Sequence, residues 1–190
     1  MTSAGVRGVF LDRDGVINHD SKDYIRTVEA FRYIDGTDAA FRALGELGLP
    51  VVIVTNQSAL ARGYTTQADV DAIHQKLRSD VEGWGGAIAS VQFCPHHPDD
   101  RCRCRKPGPG MFEQAAAEVG IDLSSSYMVG DAPTDMQAGA QFGMTLLRVR
   151  TGRGLEGGGP PDVPMVDDLR AAVARIVELE STRNNSKESS

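Results

Sequence analysis

Apolar residues recur along the chain with two alternating periods. Residues 6–11, 51–54, 87–93, 126–129 and 145–149 form short apolar-rich runs, each bounded by turn-forming or charged residues. Runs this short, without room for helical turns, predict buried strands. Residues 165–166 predict a last, shorter one. Between these runs the apolar spacing changes to three and four. Residues 36–47 put Ala39, Ala40, Ala43, Leu44 and Leu47 on one helical face, with Gly48 as the stop. Residues 66–81 predict a helix capped by Thr66 with Asp69 in its first turn. Pro109 opens another that runs to residue 119, residues 134–142 form a further one, and residues 167–179 close the chain, capped by Asp167.

Strands alternating with helices predict an α/β fold, a single Rossmann-like three-layer domain with a mostly parallel sheet over residues 1–180. The last ten residues, STRNNSKESS (181–190), are polar and read as a disordered tail. The glycine-rich stretch 152–159 lacks the Gly-Lys-Ser/Thr of a phosphate loop and reads as a flexible connector. Trp84, between two glycines, reads as a packing anchor, and His74 as a solvated residue in mid-helix. His19 needs no special role.

The chain has 190 residues, which suits one domain rather than two cores. With 20 basic and 26 acidic residues its net charge is −6, so a nucleic-acid track or an anionic-membrane face is not expected. No run approaches the roughly 20 apolar residues that cross a bilayer, and the first fifteen residues lack the apolar segment of a secretory signal. The expectation is a cytoplasmic chain, compatible with a monomer, whose partner is a small molecule.

The unusual polar residues all follow strands, where ligands bind in parallel sheets. Asp12-Arg13-Asp14 follows the first, Thr55-Asn56-Gln57-Ser58 the second and Gly130-Asp131 the fourth, with Asp135 one helical turn later. Any one acid here could simply cap a turn or a helix. Two acids spaced by two at a buried strand end repel each other, and a divalent cation such as Mg²⁺ removes the conflict, with Asp131 completing its site. Thr55 adds a hydroxyl and Lys106 a compact positive charge. Nucleophile, metal, hydroxyl and lysine together suit a phosphoryl group.

Three cysteines, Cys94, Cys102 and Cys104, fall within eleven positions. An odd, clustered count is a poor disulfide framework and a good metal site. Cys94-x-His96 and Cys102-x-Cys104 supply four ligands for a closed, structural Zn²⁺ site, with His97 as a competing ligand that spacing leaves open.

The run FLDRDGVIN, then VTNQS, RKPGPGM and VGDAPTD, resembles the four ordered motifs of the haloacid dehalogenase superfamily of phosphatases over residues 6–149. That resemblance implies that Asp12 is the nucleophile and forms an aspartyl-phosphate. Asp14 protonates the leaving oxygen and then activates water. Mg²⁺ is held by the Asp12 carboxylate, the Asp14 main-chain carbonyl and Asp131. Thr55 and Lys106 hold the phosphoryl oxygens, and Asp135 orders metal-bound water or Lys106.

The stretch CPHHPDDRCRCRKPGPGM further resembles the zinc loop of the heptose-bisphosphate phosphatases, which histidinol-phosphate phosphatases share. By that match Cys94, His96, Cys102 and Cys104 hold zinc and His97 does not, so loop 94–106 carries Arg105 and Lys106 over the site. Arg105 binds a second phosphate, and Arg13, Asn18, Asp20, Tyr24, Asn56, Gln57 and Ser58 form the remaining substrate surface. The implied activity is removal of the C7 phosphate of a heptose 1,7-bisphosphate on the route to nucleotide-activated heptose. A histidinol-phosphate phosphatase is the runner-up, and a non-catalytic zinc- or phosphate-binding module is the rival from another class.

Two departures from the pattern stand out. Ala132 follows Asp131 where those enzymes tend to carry a basic residue, and the gap between the two zinc-ligand pairs is short. Thr55 and Lys106 are only 51 positions apart, already filled by a helix, a strand and the metal loop, so no large cap domain is expected.

Overall fold

The computed structural model describes residues 5–188. Six strands form one parallel sheet in the order β3-β2-β1-β4-β5-β6: β1 (Val9–Leu11), β2 (Val51–Asn56), β3 (Ser90–Cys94), β4 (Tyr127–Gly130), β5 (Thr145–Val149) and β6 (Met165–Val166). Five helices cover it: α1 (Thr37–Leu47), α2 (Gln67–Gly83), α3 (Gly110–Val119), α4 (Pro133–Ala140) and α5 (Leu169–Glu188). The expected α/β class and mostly parallel sheet are therefore observed.

The sheet is buried on both faces, which is why its strands read as apolar runs rather than alternating ones. Val9, Leu11, Val51, Ile53, Tyr127 and Val129 point to a core built with Phe41 and Leu44 of α1, Ile73 and Leu77 of α2, and Val173 and Ile176 of α5. Phe10, Val52, Val54 and Met128 point the other way, onto Met111 and Phe112 of α3 and Met136 of α4. This period-two division makes three layers. Strand order reverses between β1 and β4, whose neighbours run outward in opposite directions. The crevice at such a reversal, beyond the strands' carboxyl ends, is where an open α/β sheet binds ligands.

The local signals mostly act as expected. Gly48 ends α1 at φ 73°, a left-handed conformation that costs glycine little. Thr66 and Asp69 form a reciprocal capping box on α2. Trp84 packs edge-on against Tyr33, with ring centres 4.8 Å apart. The first strand is shorter than its apolar run, because Val6 leaves the sheet to bridge Ile121. Among the described residues, no helix is long and apolar enough to cross a membrane, and no cap domain is present.

Two expectations at the carboxyl end need correction. Asp168, not Asp167, caps α5: its Oδ1 accepts from Ala171 N at 2.8 Å, whereas Asp167 pairs with Arg150 on the surface. Residues 181–188 are helical rather than disordered, while 189–190 lie outside the described residues. Within the helix the hydroxyl side chains bond back to its own carbonyls, Ser181 Oγ donating to Val177 O at 2.9 Å and Thr182 Oγ1 to Glu178 O at 3.0 Å, so they do not compete with it for other partners. A tertiary anchor sits one residue earlier. Glu180, 4% exposed, accepts from Tyr127 Oη at 2.5 Å, Arg7 Nη2 at 2.7 Å and Arg183 Nη1 at 3.2 Å. Glu180→Ala strands the buried Tyr127 hydroxyl and unpairs two arginines, and should lower stability in urea denaturation by about 3 kcal/mol. A loss below about 1 kcal/mol would show that α5 is not pinned there.

Candidate active site

The carboxyl ends of β1, β2 and β4 converge on a pocket of about 400 Å³. Asp12 leaves β1, Thr55 lies near the end of β2, Asp131 follows β4, and Asp135 sits in the first turn of α4. Lys106 arrives from the loop between β3 and α3. All five residues are buried, none more than 8% exposed.

The ammonium of Lys106 is saturated by three acceptors: Asp12 Oδ1 at 2.8 Å, Asp135 Oδ1 at 2.7 Å and the Val54 carbonyl at 2.6 Å. Burial alone would push its pKa down, but the two carboxylates outweigh burial and hold it above the usual lysine range. Asp135 is fully engaged, since its Oδ2 accepts from Ala132 N at 3.0 Å. It therefore holds Lys106 and caps the first turn of α4 at once.

Three buried carboxylates face one buried ammonium. Fully ionised they carry a formal excess of two negative charges, and the oxygens of Asp12, Asp131 and Asp135 lie within 4.8 Å of one another. Without a cation this is costly. Burial, then the neighbouring acids, raise Asp12 well above the carboxylate range despite Lys106, and burial with Asp135 pushes Asp131 up to about 7. A hard divalent cation such as Mg²⁺ matches both the charge and the oxygen donors.

Asp14, two residues on, is held differently. Its Oδ2 accepts from Gln57 Nε2 at 2.7 Å and its Oδ1 from Asn18 Nδ2 at 2.8 Å. Gln57 Nε2 also reaches Thr55 Oγ1 at 2.9 Å. Asp14 still lines the pocket, beside but separate from the carboxylate cluster.

The second cluster lies at the end of β3. Cys94 Sγ is 3.4 Å from both Cys102 Sγ and Cys104 Sγ, which are 3.3 Å apart. His96 Nδ1 is 3.2 Å from Cys104 Sγ and 3.6 Å from Cys94 Sγ. These edges are slightly tighter than the roughly 3.8 Å implied by Zn–S bonds of about 2.3 Å, and the three-sulfur, one-nitrogen set can hold a tetrahedral zinc ion. His97 is directed elsewhere, its Nδ1 accepting from Asp99 N at 3.3 Å. The Asn56 side chain fastens the same loop to β2: its Oδ1 accepts from Lys106 N at 3.0 Å and its Nδ2 donates to Lys106 O at 3.2 Å.

The HAD-hydrolase-like family model matches residues 103–172. A Pseudomonas putida D-glycero-beta-D-manno-heptose-1,7-bisphosphate 7-phosphatase is 43% identical over 170 residues, covering 88% of this chain and 97% of that protein. The chain belongs to the heptose-1,7-bisphosphate 7-phosphatase family of HAD-like hydrolases. It is a phosphatase. The crystal structure of the D,D-heptose 1,7-bisphosphate phosphatase of Bordetella bronchiseptica, complexed with magnesium and phosphate, superposes with a TM-score of 0.86 at 37% identity, covering 91% of this chain and 99% of that one. The Burkholderia thailandensis counterpart gives 0.70 at 31% identity, covering 90% and 98%.

Within this heptose phosphatase-family chain the expected substrate surface divides in two. Asp20, Tyr24, Asn56, Gln57, Ser58 and Arg105 line the pocket. Tyr24 does so at a left-handed φ of 62°, its ring tilted against that of Tyr64 with centres 5.6 Å apart. Arg105 carries a buried Nη1 with no hydrogen-bond partner, a donor free for a ligand. Arg13 and Asn18, however, are 0% exposed and do not line the pocket. Both turn inward to grip Asp14, Arg13 through Nη2 and Asn18 through Nδ2. The family chain also corrects the reading of His74, which is 7% exposed and packed against Arg13 rather than solvated.

Lys22, Arg62 and Arg153 also line the pocket and went unrecognised in the sequence. The glycine-rich segment is no slack connector either. Arg153 N donates to Asp131 Oδ2 at 2.7 Å and Thr151 Oγ1 to Gly15 O at 2.6 Å. A side chain at Gly15 or Gly152 would come within 2.2 Å of Asp131 Oδ2, so both positions require glycine. Buried Arg148 gathers the turn, donating to the carbonyls of Asp131, Glu156 and Gly158. Five glycines just beyond a strand end were the available signal, since a backbone that approaches a carboxylate closely needs them.

Burial, with Arg13 adding to it, pushes His74 from 6.5 down to about 4. As pH falls below 6.5 the unfolded chain takes up this proton first, so folding stability should fall, by up to about 3 kcal/mol near pH 4. Urea denaturation from pH 7 to 4.5 should show the wild type losing stability relative to His74→Gln. Parallel curves would refute a histidine held neutral.

Proposed function

We propose that the chain hydrolyses the C7 phosphate of D-glycero-β-D-manno-heptose 1,7-bisphosphate through an aspartyl-phosphate on Asp12, on the route to nucleotide-activated heptose. It does so in the cytoplasm, as a monomer, without nucleic acid or membrane. One observation carries the reading: a buried Asp12–Lys106–Thr55 floor and a cationic wall of Lys22, Arg62, Arg105 and Arg153 line the same pocket. A monophosphate needs only the floor; the wall suits a second phosphate on the same molecule.

Asp12 attacks phosphorus as the P–O7 bond breaks. Asp14 gives its proton to the departing sugar oxygen, then takes one from the water that opens the acyl phosphate. Thr55 Oγ1 and Lys106 Nζ orient the phosphoryl oxygens, with Lys106 offsetting charge that grows on them. Mg²⁺, held by the Asp12 and Asp131 carboxylates and the Asp14 carbonyl, supplies further charge neutralisation. Zinc held by Cys94, His96, Cys102 and Cys104 fixes the loop that delivers Arg105 and Lys106. Arg105 receives the C1 phosphate with its free Nη1. The β anomer follows the relatives' names.

Asp12→Asn should lower Mg²⁺-dependent phosphate release at least about a thousandfold. Retained turnover would remove Asp12 as nucleophile. Across both heptose bisphosphate anomers, histidinol phosphate and other sugar phosphates, kcat/KM should be highest for the β anomer; a preference for histidinol phosphate would move the chain to that specificity.

Elemental analysis should find about one zinc per chain. Cys102→Ser should lose zinc and phosphate release together. A metal-free wild type with full activity would sink the zinc-loop role.

A further inference from the structure

His74 has no place in the chemistry above, yet it is joined to it. It lies in the middle of α2, with its ring 5.5 Å from Phe93 and its Nε2 3.3 Å from Nη1 of Arg13. Arginine has only donors, so Nε2 is the acceptor and the proton of the neutral ring sits on Nδ1. Besides Arg13, the charged groups that bear on the ring are Asp14, Asp71 and Arg78.

Arg13 is 0% exposed, over the Phe31 ring at 5.8 Å. Its remaining nitrogens close on one carboxylate: Nε reaches Asp14 Oδ1 at 3.1 Å, and Nη2 reaches Oδ1 at 3.0 Å and Oδ2 at 2.9 Å. A fully buried guanidinium is expensive to desolvate, and the apolar surroundings would accept an apolar side chain. What Arg13 provides is direction. Its planar fork meets Asp14 in two places and cannot rotate while Nη1 is tied to His74.

We propose that His74 is a positioning residue for the acid–base step, acting through Arg13 to fix the Asp14 carboxyl toward the leaving oxygen. The inference rests on the phosphatase reading. Removing the acceptor leaves Nη1 buried without a partner, and the guanidinium turns to find another. Asn18 and Gln57 still hold Asp14, so the loss is partial.

The test compares two leaving groups. A sugar alkoxide must be protonated as it departs, whereas 4-nitrophenolate need not be, and kcat/KM reports steps up to that departure. His74→Leu removes the acceptor; His74→Gln keeps one. His74→Leu should lower kcat/KM about tenfold for the sugar phosphate and less than about twofold for 4-nitrophenyl phosphate, with His74→Gln recovering most of the loss. The ratio of the two substrates cancels any difference in the folded fraction. Equal losses on both substrates, or none on either, would overturn the relay. A wild-type chain that hydrolyses neither ester overturns the phosphatase reading and the relay with it, and that failure is visible before any variant is made.

Discussion

Everything in this pocket is arranged around one buried imbalance of charge. Three carboxylates at strand ends face a single ammonium, out of water, with a formal excess of two negative charges. Such a cluster is tolerable only when each charge has a fixed partner and a cation completes the balance. Lys106 is therefore held by three acceptors rather than one. The raised carboxyls of Asp12 and Asp131 measure the same imbalance from the other side. A hard divalent cation would relieve the cost of burying these charges.

Holding Lys106 in place is a problem of chain geometry, because it comes from a loop rather than from the sheet. The zinc-ligand cluster and the paired Asn56 hydrogen bonds solve it from two sides. The cluster closes the loop upon itself, and Asn56 fastens its end to β2. Neither touches a phosphate as its main task. Asp131 is treated likewise, clamped by Arg153 N and by a turn that Arg148 ties down.

The chain's local grammar reveals the scaffold and the ends of the strands. Apolar runs, helix stops and the capping box at Thr66 act within a few residues, so the sheet and the three polar clusters at its strand ends were legible without knowing what packs against them. The identity of the fold was legible too, because Asp12 and Asp131 come just after strands, Thr55 near the end of one and Lys106 in the loop after another. What stayed hidden depends on where a side chain points. Arg13 and Asn18 look like substrate contacts by position, yet they face inward. His74 looks solvated in a polar helix, yet it lies under the nucleophile's loop. The glycines at 152–159 look slack because their constraint, the Asp131 carboxylate, is about twenty residues away. The tail looks disordered by composition, yet Glu180 pins the helix through contacts with Arg7 and Tyr127.

The two acids of the Asp12-Arg13-Asp14 triplet thus have opposite needs, and the residue between them separates them. In the mechanism proposed above Asp12 attacks unprotonated, and it sits against Lys106 within the buried carboxylate cluster. In the same proposal Asp14 exchanges a proton, and its carboxylate is held apart from that cluster by Arg13, Asn18 and Gln57. If Asp14 swung toward Asp131, a fourth carboxylate would join the buried excess, and like charges would raise the pKa of the nucleophile further. Arg13 prevents this from inside the protein, leaving the pocket itself to the substrate. In the proposed mechanism, a side chain buried away from the pocket thus separates the carboxylate that attacks from the one that moves the proton.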